Sequence, residues 1–353
     1  MLLTAHQNGL RINFALDNGV QATRNGFVGA PFFDRNLSAN SKQTAGFIAN
    51  DWQIREWLRA DLGGRIERYT QDGTQEGLSS GDLDGNPLTL YDNNAVYLNG
   101  SHQPLSYRKT AASWTAGLTW LPVQRLSFFG RLNSGQRFPG FDDLANGQLL
   151  TQTIRQYEIG AKGALPAAQV AATAFRSLMS NIPFFQVIGN STLLYGANSE
   201  SNGVELEATV YPAKGLQIGF EGTYQNGHFT SGPYSGNRIF RQPDFEARLS
   251  PAYTFALGEH LSARLYAAAW YVGHRFSDTQ NLQPLQPFTQ FNAGLIASYA
   301  EQWEAQFSCD NLTNVIGLTE RDPRIIGSGV VNNAFLGRPI FGRSFTLSLQ
   351  YRF

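Results

Sequence analysis

At the C-terminus Phe345, Leu347, Leu349, Tyr351 and Phe353 alternate with Thr346, Ser348, Gln350 and Arg352. Successive side chains on a strand point to opposite faces, so this segment has one wholly apolar face and one wholly polar face. The pattern recurs along the chain. Trp303, Ala305, Phe307 and Cys309 alternate with Glu304, Gln306, Ser308 and Asp310. Val204, Leu206, Ala208 and Val210 alternate with Glu205, Glu207 and Thr209, and Leu216, Ile218 and Phe220 with Gln217, Gly219 and Glu221. Phe245, Ala247 and Leu249 alternate with Asp244, Glu246 and Arg248. A chain built this way must form sheets whose two faces meet different surroundings.

Spacing constrains the fold as much as alternation does. Paired strands are expected at 43–54 and 57–69, 110–121 and 124–134, 153–163 and 168–179. Further pairs fall at 202–212 and 215–227, 242–257 and 260–273, 288–300 and 303–312, with a last strand at 341–353. Within each pair the connection is very short, as at Pro122–Val123, Ala213–Lys214, Gly258–Glu259 and Glu301–Gln302. Between pairs it is long and polar: 70–109, 135–152, 180–201, 228–241, 274–287 and 313–340. Short turns at one end and long loops at the other describe a transmembrane antiparallel up-and-down β-barrel. A soluble sandwich does not segregate its loops in this way. Leu10, Ile12, Phe14 and Leu16 also alternate, which brings the expectation to about 14 strands of an all-β fold. Two features sit awkwardly. Pro251 interrupts a strand, where it removes a ladder donor, and Phe47–Ile54 slips phase as at a bulge.

Composition agrees with a membrane barrel. Only 15% of residues are charged and 13% are aromatic, with 36 glycines and a net charge of +0. The charged fraction is below the ~25% usual in soluble domains. A neutral chain gives no electrostatic reason to expect nucleic acid. Cys309 stands alone, which excludes an intramolecular disulfide and a thiolate metal cluster. No run approaches the ~18 apolar residues of a membrane-spanning helix. Met1–Gly9 lacks the basic-then-apolar order of a signal peptide.

Several stretches resemble the C-terminal barrel of TonB-dependent receptors. DLGGRIERY, ending at Tyr69, looks like that family's G-x-R strand. GRLNSGQRFPGFDDL, Gly130–Leu144, is similar to its G-F-R-x-P-x-x-x-x-L motif. QYEIGAKG, Gln156–Gly163, resembles its E-x-G-x-K strand, and NGVELEATV, Asn202–Val210, its G-V-E-L strand. DNLTN, Asp310–Asn314, resembles the penultimate strand, and GRSFTLSLQYRF its terminal one. The resemblance implies a bacterial cell outer-membrane receptor importing a ferric siderophore or a similar scarce nutrient. It implies no cofactor, contact with outer-membrane lipid and lipopolysaccharide, and recognition by the barrel-assembly machinery through a strand ending in Phe353. It also implies that residues 1–353 are about 14 strands of an incomplete 22-stranded barrel. Signal peptide, TonB box and plug domain are expected to be missing, so TonB would be reached only through a plug outside this chain. Arg137 and Glu158 occupy positions of the family motifs. Glu158, Lys162, Glu205 and Glu207 are expected to face the lumen, where a plug would otherwise meet them.

The long loops carry side chains suited to an anionic or metal-chelate ligand, because arginine pairs planar acids and aromatics stack on flat groups. The ligand-binding candidates are Tyr91, Tyr97, His102 and Tyr107 in loop 70–109, and His228, Tyr234 and Arg238 in loop 228–241. Arg321 and Arg324 in loop 313–340 complete the set. Tyr91 to Tyr107 are joined there by Arg108, His228 to Arg238 by Arg241, and the last loop by Arg338; His274 is a further loop histidine. The five histidines never fall at metal-ligand spacing, so no metal site is expected. Gly77–Gly81 matches G-x-S-x-G around Ser79, but a serine nucleophile needs a helix after it and none is signalled. Asp82–Asn86 begins like a calcium loop yet has Asn93 where a bidentate glutamate belongs. The chain therefore reads as a transport protein and not an enzyme. The alternatives are a passive porin-like channel or, less favoured, an outer-membrane barrel enzyme using Ser79.

Overall fold

The computed structural model describes residues 36–82, 85–88, 95–145, 147–188, 191–300, 302–322 and 336–352. The alternating segments become β1 (Leu37–Arg55), β2 (Leu58–Gly81), β3 (Ala95–Val123) and β4 (Leu126–Arg137). A short α1 (Phe141–Ala145) leads to β5 (Gln152–Leu165), β6 (Ala168–Ile188), β7 (Ser191–Ala213) and β8 (Leu216–Phe229). After β9 (Phe245–Ala256) and β10 (Leu261–Val272) come two minor strands, β11 (Arg275–Phe276) and β12 (Pro284–Leu285). The chain continues through β13 (Phe288–Tyr299), β14 (Trp303–Asp310), the minor β15 (Leu318–Asp322) and β16 (Leu336–Pro339), and ends in β17 (Ser344–Tyr351).

Thirteen strands form one sheet in the order β1-β2-β3-β4-β5-β6-β7-β8-β9-β10-β13-β14-β17. Every sequential pair expected from the alternation is present, so the all-β antiparallel reading holds. The strand expected at Leu10–Leu16 and the terminal Phe353 lie outside the described residues. Contacts divide the chain into two compact units. One holds the described residues up to Gly46 with Arg65–Ala112 and Arg137–Thr151; the other holds Phe47–Gly64, Ser113–Gln136 and the chain from Gln152 on.

The expected long loops are corrected in two places. β2 runs on to Gly81 and β3 starts at Ala95, so most of 70–109 is paired strand. Residues 180–188 and 191–201 are also strand, since β6 and β7 continue in pairing to Ile188↔Ser191. Apolar alternation stops in these extensions although pairing goes on.

Register sorts the faces cleanly in the second unit. Ile159, Ala174, Val204, Tyr224 and Phe245 form one row across β5 to β9, and Ala172, Leu206 and Gly222 a row below it. The opposite face carries Gly160, Thr173, Glu205, Thr223 and Glu246, then Lys162, Ala171, Glu207, Glu221 and Arg248. Ile159 is 69% exposed, Tyr224 58% and Leu265 55%. A soluble sheet would bury such a face, so this one needs an apolar solvent. Aromatics gather beside the short turns. Trp120 stacks on Phe128 at 5.4 Å and Trp303 meets Tyr351 at 4.6 Å, as in the interfacial girdle of a barrel.

Glycines on the polar face have a packing role. A Cβ at Gly160 would stand 2.5 Å from the Phe129 ring, and one at Gly203 would stand 2.5 Å from Phe175. The two family-like motifs therefore keep glycine where an aromatic ring lies flat across the sheet. Pro251 is accommodated without a register shift. Its pairing with Ile218 of β8 is intact, and only the β10 side of the ladder is interrupted there. The phase slip in β1 meets no penalty, since Phe47 and Ile48 are both exposed on a strand paired only with β2 among the described residues.

Candidate functional site

Three connections in the second unit lock together at the long-loop end of the sheet. The β8–β9 connection folds back on its own strand: Phe229 N–H donates to Asn237 O at 2.8 Å, and Ile239 N–H to Gly227 O at 3.1 Å. Phe229, Ala197 and Phe184 are buried beneath it, with Ile239 and Tyr234 packed against them. The Phe184 ring meets Phe229 edge-on at 5.1 Å. Beside this small core, Gln242 Nε2 donates to Gln225 Oε1 at 2.8 Å and to Ser201 Oγ at 3.3 Å.

Asn281 ties the β8–β9 connection to the one holding β11 and β12. Its Oδ1 accepts from Arg238 N–H at 2.7 Å, and its Nδ2 donates to Arg238 O at 3.0 Å. Asn237 Nδ2 adds a bond to Thr279 O at 2.9 Å. The next tie is Arg275, which is 4% exposed. It donates to Leu318 O at 2.6 Å and Gly273 O at 3.1 Å, with its guanidinium 5.4 Å over the Phe288 ring. Burial lowers its pKa from the ordinary arginine value, and Glu246 partly opposes that. Ser277 Oγ donates to Arg321 O at 2.6 Å and accepts from Arg321 N–H at 2.7 Å. Glu320 is held between Arg241 at 2.9 Å and Arg338 at 3.2 Å.

Asn311 anchors the last connection. It is 1% exposed, and its Nδ2 donates to Val315 O and Phe341 O at 2.9 and 3.0 Å while Oδ1 accepts from Val315 N–H. Both Asn311 (φ 49°) and Asn314 (φ 52°) adopt the left-handed backbone that asparagine tolerates, and Asn314 Oδ1 accepts from Arg343 N–H at 3.0 Å. The N-L-T-N motif is a loop clasp.

These positions distribute the ligand candidates unevenly. Tyr234 belongs to the aromatic core, 6.1 Å from Phe184. Arg321 lies in β15, its backbone held by Ser277. His228 pairs across an isolated bridge with Arg238, and register puts both on the face that carries Val204 and Tyr224. Arg238 there contacts Asp244 at 3.3 Å. In the other unit Tyr107 is buried, its hydroxyl 2.6 Å from Thr151 Oγ1 and its ring 6.1 Å from Tyr69. Tyr97 and His102 are exposed on β3. Tyr91 and Arg324 lie outside the described residues. Sequence reasoning missed Arg275, Ser277 and Asn281. Only the asparagine carried a signal, as a residue suited to left-handed backbone at φ 59°.

The polar face of the sheet supplies a second cluster. Asp61, Arg131, Glu158, Lys162, Glu205 and Glu207 line a cavity of about 300 Å³. Arg131 stands 3.3 Å from Asp61, and Lys162 lies 5.4 Å over the Phe129 ring. Further along, Glu221, Arg248, Arg264, Tyr266, Asn292 and Asp310 line about 530 Å³. Such a surface suits water or a polar protein segment. Ser79 lies inside β2 and accepts from Asn99 Nδ2 at 3.1 Å, without the strand-to-helix elbow a serine nucleophile needs. Asp82 Oδ1 accepts from Gly85 N–H at 2.9 Å, a polar turn. Among the described residues no three His, Cys, Asp or Glu side chains converge as metal ligands.

The fold has many solved counterparts. The ferric yersiniabactin uptake receptor FyuA from Yersinia pestis is 17% identical with a TM-score of 0.66, over 90% of this chain and 47% of that one. The siderophore receptor PiuA from Acinetobacter baumannii is 17% identical with a TM-score of 0.68, over 89% and 44%. The copper transporter OprC is 16% identical with a TM-score of 0.68, over 89% and 49%. The chain thus spans about half the length of these structures. No curated protein matches it. The family model for the TonB dependent receptor-like β-barrel matches residues 4–312. This chain belongs to the TonB-dependent receptor-like β-barrel family.

Proposed function

We propose that the chain forms the barrel part of an outer-membrane importer for a ferric siderophore or a similar scarce nutrient. The observation that carries this reading is the two-faced sheet within a family of receptors. An exposed apolar face suits lipid, and a charged face around Glu158, Lys162, Glu205 and Glu207 suits a polar occupant of the lumen. Import would be energised by TonB through a plug domain. Solved proteins of the same fold include a ferric yersiniabactin uptake receptor and a copper transporter, so the fold by itself leaves the cargo open. Loops select it. Of the ligand candidates, Tyr97, His102 and Arg321 keep a binding role in this reading, along with the unplaced Tyr91 and Arg324. Tyr107 and Tyr234 support loop packing instead. The C-terminal strand is the element offered to the barrel-assembly machinery. No bond chemistry is assigned to Ser79 or to any histidine.

The test is uptake of ⁵⁵Fe-loaded siderophores by cells lacking their own receptors and expressing this chain, with and without a plug domain supplied in trans. Uptake that needs the plug and stops with a protonophore supports the proposal. Uptake without the plug and indifferent to the protonophore would make the chain a passive channel, for which the 530 Å³ cavity lined in part by Glu221, Arg248 and Arg264 is the structural motive.

A further inference from the structure

Asn–Gly, in which a side-chain amide is followed by a backbone nitrogen that no side chain shields, occurs seven times in the chain. Three of these steps lie wholly among the described residues: Asn99–Gly100, Asn202–Gly203 and Asn226–Gly227. All three asparagines are exposed, so exposure does not separate them. Their backbones do. Asn202 of β7 is paired on both sides, with Arg176 of β6 and with Asn226 of β8. Gly203 is crowded by the Phe175 ring, and Gly227 by the Gln242 side chain. Gly100 instead takes φ 77°, and a Cβ there would meet nothing within 4 Å. Of the three, only this step turns out of the extended form, with open space beside its nitrogen.

The groups around Asn99 meet the needs of an attack on its side chain. Gly100 N–H donates to Glu76 Oε1 at 2.9 Å, and Glu76 is itself held by Asn36 Nδ2 at 2.8 Å. A carboxylate placed there can take the amide proton as the nitrogen becomes a nucleophile. Asn99 Oδ1 accepts from Ser101 N–H at 3.0 Å and from Ser101 Oγ at 2.6 Å. Two donors on one carbonyl oxygen stabilise the negative charge that develops when its carbon is attacked. The bond from Ser101 N–H also curls the side chain over the Gly100 peptide. Asn99 Nδ2 donates to Ser79 Oγ at 3.1 Å, which fixes the plane of the amide. Gly77 leaves the room for this, since a Cβ there would clash with Ser101 Oγ and stand 3.0 Å from Asn99 Oδ1. The G-x-S-x-G stretch is thus the seat of the Asn99 side chain.

We propose that Asn99 is a self-modification site, at which the Gly100 nitrogen displaces ammonia from the side-chain amide. The bond from Gly100 N to Asn99 Cγ forms as the N–H proton passes to Glu76. The Cγ–Nδ2 bond then breaks, and the nitrogen leaves as ammonia with a proton from solvent, to which Glu76 returns its own. Water opens the resulting five-membered imide at either carbonyl, leaving aspartate or isoaspartate at position 99. Water is the only co-reactant. Either product puts a carboxylate near Glu76 and between Tyr97 and His102, so this part of the β2–β3 ribbon becomes more anionic as the protein ages. Isoaspartate also adds a methylene to the main chain of β3 and disturbs its pairing there.

The experiment keeps the full chain, folded in detergent micelles, in mildly alkaline buffer made with heavy-oxygen water and samples it over days. Peptide mass spectrometry reads conversion and uptake of heavy oxygen at each asparagine, and labelling by an isoaspartate methyltransferase reads the rearranged product. Asn99 should convert at least about tenfold faster than Asn202 and Asn226, and unfolding in urea should remove most of that difference. E76Q and S101A should each slow Asn99 by about three- to tenfold and leave Asn202 unchanged, with heat-modifiable migration reporting that they fold. S101A deletes one exposed hydroxyl, so it carries the test if E76Q does not fold. Equal rates at the three asparagines of the folded chain, or an undiminished rate at Asn99 in either folded variant, would overturn the proposal.

Discussion

The interlocked connections after β8, β10 and β14 differ from the terminal strand β17 in almost every physical respect. The former bury Phe229, Leu285 and Asn311 to 1% and hold Arg275 and Ser277 nearly as deep. Asn281, Arg275, Ser277 and Asn311 bond backbone groups there, while Gln242 Oε1 is buried without a hydrogen-bond partner among the described residues. β17 is exposed along its whole length and pairs only with β14 among the described residues. Two kinds of stability are thus combined. The strands are held by ladder bonds and by an apolar solvent, whereas the loops build a small water-excluded interior of their own. Changes in the loops should be costly in any medium, and changes on the terminal strands only where lipid is present.

The largest expected effect is at Asn311. Asn311→Ala leaves two carbonyls and an N–H unpaired in a buried place and puts alanine at positive φ, at a cost of about 4 kcal/mol. Urea unfolding in micelles should show it, with proteolysis opening between Asn311 and Arg343. Asn311→Asp keeps the acceptor and should lose less. Next comes a matched pair of leucines: Leu285→Ala should cost about 3 kcal/mol and Leu347→Ala no more than about 0.5 in the same micelles. Equal losses would break the contrast. Arg275→Met should follow at about 2 kcal/mol, because the carbonyls of Leu318 and Gly273 lose their donor; hydrogen exchange at the backbone around Leu318 would report it locally. The smallest effects concern glycines. Gly160→Ala and Gly203→Ala must displace Phe129 or Phe175 and should cost about 1–2 kcal/mol. At Gly46 and Gly64 a Cβ meets nothing within 4 Å, so alanine there should be neutral or slightly stabilising.

The same contrast explains what could be read from the sequence. Period two is enforced where the two faces of a strand meet lipid and a polar interior, and the thirteen strands were legible for that reason. The tight turn before β8 was legible too, displaced by one residue, because Gly215 takes φ 80° with no room for a Cβ beside Thr254 O. Where β2, β3, β6 and β7 extend beyond the apolar band, the alternation fades, so 70–81, 180–188 and 191–201 read as loops though they are strand. The ties made by Asn281, Arg275 and Ser277 join residues more than forty positions apart and leave no periodic trace. Residue type pointed to His228, Tyr234 and Arg238 as loop ligands; that His228 and Arg238 share the face of Val204 is visible only from the register of β7 on β8.

The most direct measurement is paired accessibility along β7 of the reconstituted chain. With Cys309 replaced by serine, single cysteines at positions 203 to 208 would be probed with a water-soluble maleimide and with spin labels against lipid-borne and aqueous relaxants. The expected result is strict alternation, with positions 204, 206 and 208 reporting lipid and 203, 205 and 207 reporting water. Uniform aqueous access, or a phase reversed by one residue, would contradict the assignment of the apolar face to the membrane and with it the barrel reading of this chain.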